Sequence, residues 1–214
     1  MEVKYSNLTT SDYHQLFSAR KRTFKDRLNW MVDTINEMEI DKYDNINAHY
    51  ILGKHKDTLI CGARLIDSSD ENMLNDGLFN AFFGTRIKLK ENSLEVSRLF
   101  IDKEAIRGLS LSGHPIVSLL FRSMIAFSKR KQYICMHAIV SHQMYIILRR
   151  AGWNVKIIET GKSEKQHTVH YISMPMDADS TSRLFEKTSI PEFTQYSDKE
   201  ALLASFPLRW TNNI

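Results

Sequence analysis

Two apolar runs, AHYILG (48–53) and DTLICGARLID (57–67), flank the turn residues KHKD. Short runs bounded by turn formers read as the two strands of an antiparallel hairpin. The second run sets the tighter condition, because it carries Arg64 in an otherwise apolar stretch. A buried strand arginine is costly unless a carboxylate pairs with it. The chain must therefore bring an acid to this hairpin, and Asp41, Asp44 and Glu95 are the candidates.

A second arginine is as conspicuous. TTSDYHQLFSARKRTFKDRL (9–28) opens on a Thr/Ser cap and spaces Tyr13, Leu16, Phe17, Phe24 and Leu28 as a helix. Arg20, Phe24, Arg27 and Leu28 fall at i, i+4, i+7 and i+8, so a cation and a ring share one stripe. Lys21, Arg22, Lys25 and Asp26 take the outside. An arginine on that stripe suits a helix bordering a ligand pocket and ill suits a closed core.

The other segments complete a mixed order. EVKY reads as a first strand and NSLEVSRLFID as another. A helix over about Pro115 to Lys129, the strand YICMHAIV and the helix HQMYIILRRAG, closed by Gly152, come next. NVKIIET and TVHYISMP are the last strands. The only long aperiodic stretch is residues 36–47. The tail, 177–214, reads as a short helix, a polar loop and a docking end, SFPLRW. This order predicts an α/β fold, a three-layer α/β/α sandwich around a mixed, mostly antiparallel sheet.

Period-two alternation in NSLEVSRLFID puts Glu95 and Ser97 on the face opposite Leu94 and Val96. Arg98 then faces away from Glu95 unless a bulge re-aims it, and a bulge is expected there.

With 214 residues and 43% hydrophobic content, one domain spanning 1–214 is expected. No apolar run reaches the roughly 18 residues of a membrane span and no signal-peptide pattern opens the chain, so a soluble cytoplasmic protein is expected. Cys61 and Cys135 sit in apolar runs without metal-type spacing; packing roles and no metal are expected. The net charge of +4 is unevenly spread. No Asp or Glu occurs from Ala105 to Ile158, where Arg107, Arg122, Lys129, Arg130, Lys131, Arg149, Arg150 and Lys156 fall. Asp33, Glu37, Glu39, Asp41 and Asp44 crowd the N-terminal half. The basic residues scatter over helix ends and form no recognition helix, which argues against nucleic acid. Ser141 and His142 are adjacent and lack a Gly-x-Ser-x-Gly elbow, and His167 and His170 take opposite strand faces, so structural roles are expected for these and for His137.

The element order resembles the acetyltransferase superfamily, with an acyl-CoA N-acyltransferase-like fold. The pyrophosphate-binding glycine loop of that superfamily corresponds here to RGLSLSGHP (107–115), which departs from its pattern. A closer resemblance is carried by ARKRTFKDRLNW (19–30), EIDKYDN (39–45), CGARLID (61–67), LEVSRLFID (94–102) and the weaker AIVSHQM with LRRAGW (138–153). On these pieces the chain is similar to acyl-homoserine-lactone synthases of the LuxI type. The resemblance implies condensation of S-adenosylmethionine with an acyl chain carried by acyl carrier protein. It places S-adenosylmethionine in residues 1–104, the acyl chain and carrier protein in 105–176, and a tail beyond.

Within that implication Glu95 deprotonates the amine, with Arg98, Asp41 and Asp44 as further catalytic candidates. Asp41 and Asp44 hold the ammonium or orient its partners. Arg20, Phe24, Trp30 and Arg64 line the S-adenosylmethionine site, the rings facing the sulfonium or stacking on adenine. Phe121, Met124, Ala138, Val140 and Leu148 are candidates for the acyl pocket. Lys129, Arg130, Lys131, Arg149 and Arg150 are candidates for docking the acidic carrier. S-adenosylmethionine is a substrate, and no cofactor is expected. Leu99-Phe100 stands where many relatives have Phe-Phe, and Ala138 where a subgroup has the Thr associated with 3-oxoacyl chains; an unsubstituted chain is the alternative. A general N-acyltransferase using acyl-coenzyme A is the second reading.

Overall fold

The computed structural model describes residues 1–186; the SFPLRW end lies outside them. Seven strands, β1 (Glu2–Lys4), β2 (His49–His55), β3 (Thr58–Asp67), β4 (Ser93–Ile101), β5 (Cys135–Ser141), β6 (Lys156–Lys162) and β7 (Thr168–Pro175), form one sheet in the order β1-β2-β3-β4-β5-β7-β6. Only β4 and β5 run parallel; the other neighbours are antiparallel. Parallel neighbours need a crossover, and α2 (Lys103–Gly108) and α3 (Ile116–Arg130) supply it. The mixed, mostly antiparallel sheet predicted from the pattern is the one observed.

Alternation assigns the faces. Ile51, Ala63, Leu65, Leu94, Val96, Met136, Ala138 and Ile172 point to one side, where α2, α3, α4 (His142–Arg150) and α5 (Ala178–Glu186) cover them. Tyr50, Leu52, Ile66 and Phe100 point to the other, under α1 (Thr10–Arg20) with Leu16, Phe17 and Phe24. Further along that second face, Leu74, Phe83, Ile87 and Leu89 pack on Val169 and Tyr171. The layers are therefore helices, sheet, and a helix continued by loops.

The helix expected over 9–28 changes its winding. Thr9 caps α1 by accepting from the Asp12 N–H, but Lys21–Arg27 continues as a π-helix. Leu28 N–H donates to Thr23 O and Trp30 N–H to Phe24 O, five and six residues back. The wider turn carries the chain off the stripe that a regular helix would keep: Phe24 is buried, whereas Leu28 is 43% exposed and Arg27 is exposed. π-turns are rare and concentrate at functional sites.

Two further departures concern loops. Residues 68–92 are also irregular, with one 3₁₀ turn at Asn80–Phe82, so 36–47 is not the only long aperiodic stretch. Their apolar residues are spaced to pack as a strap over the sheet. The strap is tied to β6, where Glu159 accepts from the Gly84 N–H (2.8 Å) and the Thr85 hydroxyl (2.6 Å). A Cβ at Gly161 would stand 1.8 Å from the Phe82 carbonyl oxygen, so only glycine fits beneath it. The short α2 had no periodic signal of its own; Asp102 caps it through the Glu104 and Ala105 amides. Gly152 ends α4 at φ +99° as expected of a C-terminal glycine.

β4 and β5 pair only over Ser93–Glu95 and Cys135–His137. Beyond that point β4 stays with β3 and β5 with β7, so the two strands part and leave a cleft open at one end of the sheet.

Candidate active site

The expected bulge is present in β4. Gly62 pairs with Phe100 and Arg64 with Ser97, so Arg98 and Leu99 share the space opposite Ala63. Arg98 adopts φ +52°, a left-handed conformation uncommon outside glycine. The extra residue brings Arg98 onto the face of Glu95 and Ser97, while Leu99 packs on the helical side.

Three arginines from three elements converge on that face. Arg20 from α1 and Arg64 from β3 are both fully buried. Their partners come from the segment after the π-helix. Asp44 Oδ1 accepts from Arg20 Nη1 (2.7 Å), Arg64 Nη1 (3.0 Å) and the Tyr50 hydroxyl (2.7 Å), and Oδ2 accepts from the Asp41 N–H (2.9 Å). Glu39 bridges Arg20 Nε (2.6 Å) and Arg98 Nε (3.0 Å). Asp41 takes Arg64 Nη1 at 2.5 Å and faces Arg98 Nη2 at 2.8 Å. The Arg20 and Arg64 guanidiniums hold the Asp44 carboxyl well below the usual carboxylate range against the opposing effect of burial. Arg64 thus has the carboxylate partners its position demanded.

Arg20 is answered differently from the expectation. It does not border an open pocket; it is enclosed, and its counter-charges are the chain's own Glu39 and Asp44. The two aspartates also part company. Asp44 has both oxygens engaged inside, whereas the Asp41 side chain is 19% exposed, its Oδ2 ion-paired with Arg98 Nη2 at 2.8 Å. Asp41 is therefore the acid of the pair that can meet a ligand.

Glu95 stands beside this cluster. It is 1% exposed, and its Oε2 accepts from the Leu74 N–H at 3.1 Å. Burial raises its pKa, against the Arg64 charge and hydrogen bonds from Ser97 and the 73–74 backbone. Three guanidiniums already pair with Glu39, Asp41 and Asp44, so among the described residues Glu95 is the acid of this cluster without an ion-pair partner. That is the setting for an acid–base group, and for attracting a cationic ligand.

An aromatic wall completes the site. Phe24 and Trp30 stack with centroids 5.0 Å apart and planes at 24°. The Arg98 guanidinium lies 5.7 Å over the Phe24 ring, and Trp30 remains 43% exposed. Such a pair offers a face to a sulfonium or a flat base.

Glu39, Tyr50, Met73 and Leu74 were not singled out from the sequence. Glu39 had a signal, standing two residues before Asp41 in the acidic segment. Met73 had none: its sulfur lies 3.1 Å from Arg64 Nη2 because the 68–92 strap folds back over the sheet.

The acyl candidates are gathered into one cluster on the helical side. Phe121, Met124, Ala138 and Leu148 are buried to 4% exposure or less, with Val140 partly buried beside them. They are packed core, forming a wall of the helical side and not an open tunnel. The docking candidates divide. All five are exposed, but Arg130 pairs with Glu2 of β1 and Lys129 bonds Thr181 of α5. Arg149 bonds Asn154 before β6, at the other side of the same helical layer. They lie apart along that layer because α3 crosses β2 and β3 while α4 lies over β5 and β7.

Among known proteins, the family model described as Autoinducer synthase matches residues 4–184. An acyl-homoserine-lactone synthase of Serratia liquefaciens is 43% identical over 187 residues, 87% of this chain and 93% of that protein. The crystal structure of the AHL synthase LasI superposes with a TM-score of 0.76 at 18% identity, covering 89% of this chain and 95% of that one. BjaI, a CoA-dependent acyl-homoserine lactone synthase solved with SAM and isopentyl-CoA, gives 0.75 at 16% identity, with 89% of each chain covered.

Proposed function

From a chain that belongs to the autoinducer synthase family and is accordingly an acyl-homoserine-lactone synthase, an acyltransferase, we propose the following division of roles. S-adenosylmethionine binds in the space between the Phe24–Trp30 stack, Arg98, Asp41 and Glu95. Its ammonium faces Glu95 and Asp41, its sulfonium or adenine the aromatic stack. The observation that carries this reading is the charge balance: three arginines matched by Glu39, Asp41 and Asp44, with Glu95 left over, buried and raised in pKa.

A free α-amino group titrates near about 8 and is mostly protonated at neutral pH. Glu95 accepts its proton; the freed lone pair forms the N–C bond to the thioester carbonyl carbon, and the C–S bond breaks to release the carrier thiol. The methionyl carboxylate oxygen then displaces the sulfonium at the γ-carbon. The breaking C–S bond leaves its pair on sulfur, giving neutral methylthioadenosine and a closed lactone. No cofactor is needed by either step. Arg20, Arg64 and Asp44 act from below, holding Asp41 and Arg98 in register.

We assign the acyl donor to acyl carrier protein. RGLSLSGHP lacks the superfamily's glycine pattern for a coenzyme A pyrophosphate, and Arg149 with Arg150 offer an exposed cationic dock on α4. The cleft between β4 and β5, beside the Ala138 and Leu148 wall, receives the chain. Changing Arg149 and Arg150 to Glu should raise KM for the acyl carrier about tenfold at low salt, less at high salt, and leave KM for S-adenosylmethionine unchanged. Initial rates with acyl carrier and acyl-coenzyme A of the same chain test the donor. A higher kcat/KM with the coenzyme A thioester, unaffected by the double change, overturns this assignment.

A further inference from the structure

Glu95 and His137 are the last in-register pair before β4 and β5 part. Neighbours in a parallel ladder leave the same face from backbones about 4.8 Å apart. His137 is 4% exposed, yet among the described residues its Nε2 has no hydrogen-bond partner, and neither has Oε1 of Glu95. The opposite ends of both groups are fixed: the Tyr171 hydroxyl lies 3.2 Å from His137 Nδ1, and the Leu74 N–H serves Glu95 Oε2.

With the Tyr171 O–H donating to Nδ1, the neutral ring carries its proton on Nε2. That leaves a buried donor without an acceptor beside a buried carboxylate oxygen without a donor. Each alone is unfavourable, and one bridging water or a small rotation of the ring would let each relieve the other. The charged and polar groups facing this pair are Arg64 from β3, Ser97 from β4, the Met73 and Leu74 backbone and Lys90 from the strap, and Tyr171 from β7. Burial first, then the Lys90 charge, presses the His137 ring down to about 4, against the Ile172 backbone, so the ring is neutral where the enzyme works.

We propose that His137, oriented by Tyr171, is a positioning residue for Glu95, its Nε2–H holding Oε1 so that the carboxylate stays ionised and aimed at the amine. This rests on the reading of Glu95 as the base. Removing the donor destabilises the carboxylate and raises its pKa, so the acidic limb of kcat/KM moves to higher pH.

The test is the pH profile of kcat/KM for S-adenosylmethionine in His137→Phe, His137→Gln, Tyr171→Phe and Glu95→Gln. His137→Phe should move the acidic limb up by about one unit, a loss of about tenfold at a fixed pH below it. His137→Gln, which restores a donor near Nε2, should return the limb toward the parent. If His137→Phe does not fold, Tyr171→Phe carries the test, with a smaller shift in the same direction. A limb that stays in place in the folded His137→Phe protein, or in Tyr171→Phe where His137→Phe does not fold, overturns the proposal while leaving Glu95 as base. Full activity in Glu95→Gln removes the base reading itself.

Discussion

Glu95→Gln should lower kcat by about 10²–10⁴-fold, the usual contribution of a positioned general base, with Tm close to the parent value. The amide keeps the size of the acid and can still accept from the Leu74 N–H, so the strap has no reason to lift. What is lost is the acid near the bulge that, among the described residues, has no ion-pair partner. The pH dependence has a definite sign. A carboxyl group raised by burial becomes a base only above its folded pKa, so the parent rate climbs with pH through a value above the ordinary range for Glu. Folding linkage runs the same way: a buried carboxylate with raised pKa lowers stability as pH rises past its unfolded value. Glu95→Gln removes both dependences, and kcat/KM against pH with calorimetry on the same samples reads them separately.

Arg20→Met should be the most damaging change outside the chemistry. It removes one guanidinium from a fully buried network and strands Glu39 and Asp44, both 7% exposed or less. Breaking a buried ion pair by deleting one partner costs about 3–5 kcal/mol, which in a domain of this size lowers Tm by about 10 °C. The effect is pH-dependent. Asp44 has a depressed folded pKa, so its contribution is complete above the ordinary carboxylate value of about 3.9 and fades as pH falls toward the folded value. The gap between parent and variant is widest at neutral pH and narrows on acidification, because the stranded acids of the variant can then take up protons. Calorimetry at pH 7 and pH 4 checks this; equal gaps at both would mean that packing, not charge, sets the cost.

The parts of the fold that were legible are those where period and face coincide. Alternation in β4 placed Glu95 and Ser97 on one face, and the demand of a buried arginine for an acid named Asp41, Asp44 and Glu95 as candidate partners of Arg64, of which Asp41 and Asp44 are the ones that bond it. The bulge at Arg98 was readable because regular alternation would have aimed that arginine away from the acids. The π-turn was not, since Lys21–Arg27 continues a regular apolar spacing and only Trp30 folding back on Phe24 widens it. Nor was the separation of Asp41 from Asp44, which depends on the Asp41 N–H and the Tyr50 hydroxyl both donating to Asp44. The strap at 68–92 escaped because its apolar residues serve neither a helix nor a strand. His137 read as a structural histidine, and its place beside Glu95 follows from the parallel register of β4 and β5, which no local pattern encodes. The basic residues at 129–131 and 149–150 looked like one surface because both fall in the acid-free stretch 105–158; α3 and α4 carry them to opposite ends of one helical layer.

The central claim is a single turnover that consumes S-adenosylmethionine and an acyl carrier thioester. Purified protein incubated with carboxyl-labelled S-adenosylmethionine and an acyl carrier bearing one defined chain, followed by mass spectrometry of the products, tests it most directly. The account predicts equal amounts of methylthioadenosine and N-acyl homoserine lactone, the label retained in the lactone ring, and both products formed about 10²–10⁴-fold more slowly with Glu95→Gln. Acylated product without lactone, or methylthioadenosine released without acyl transfer, would contradict it.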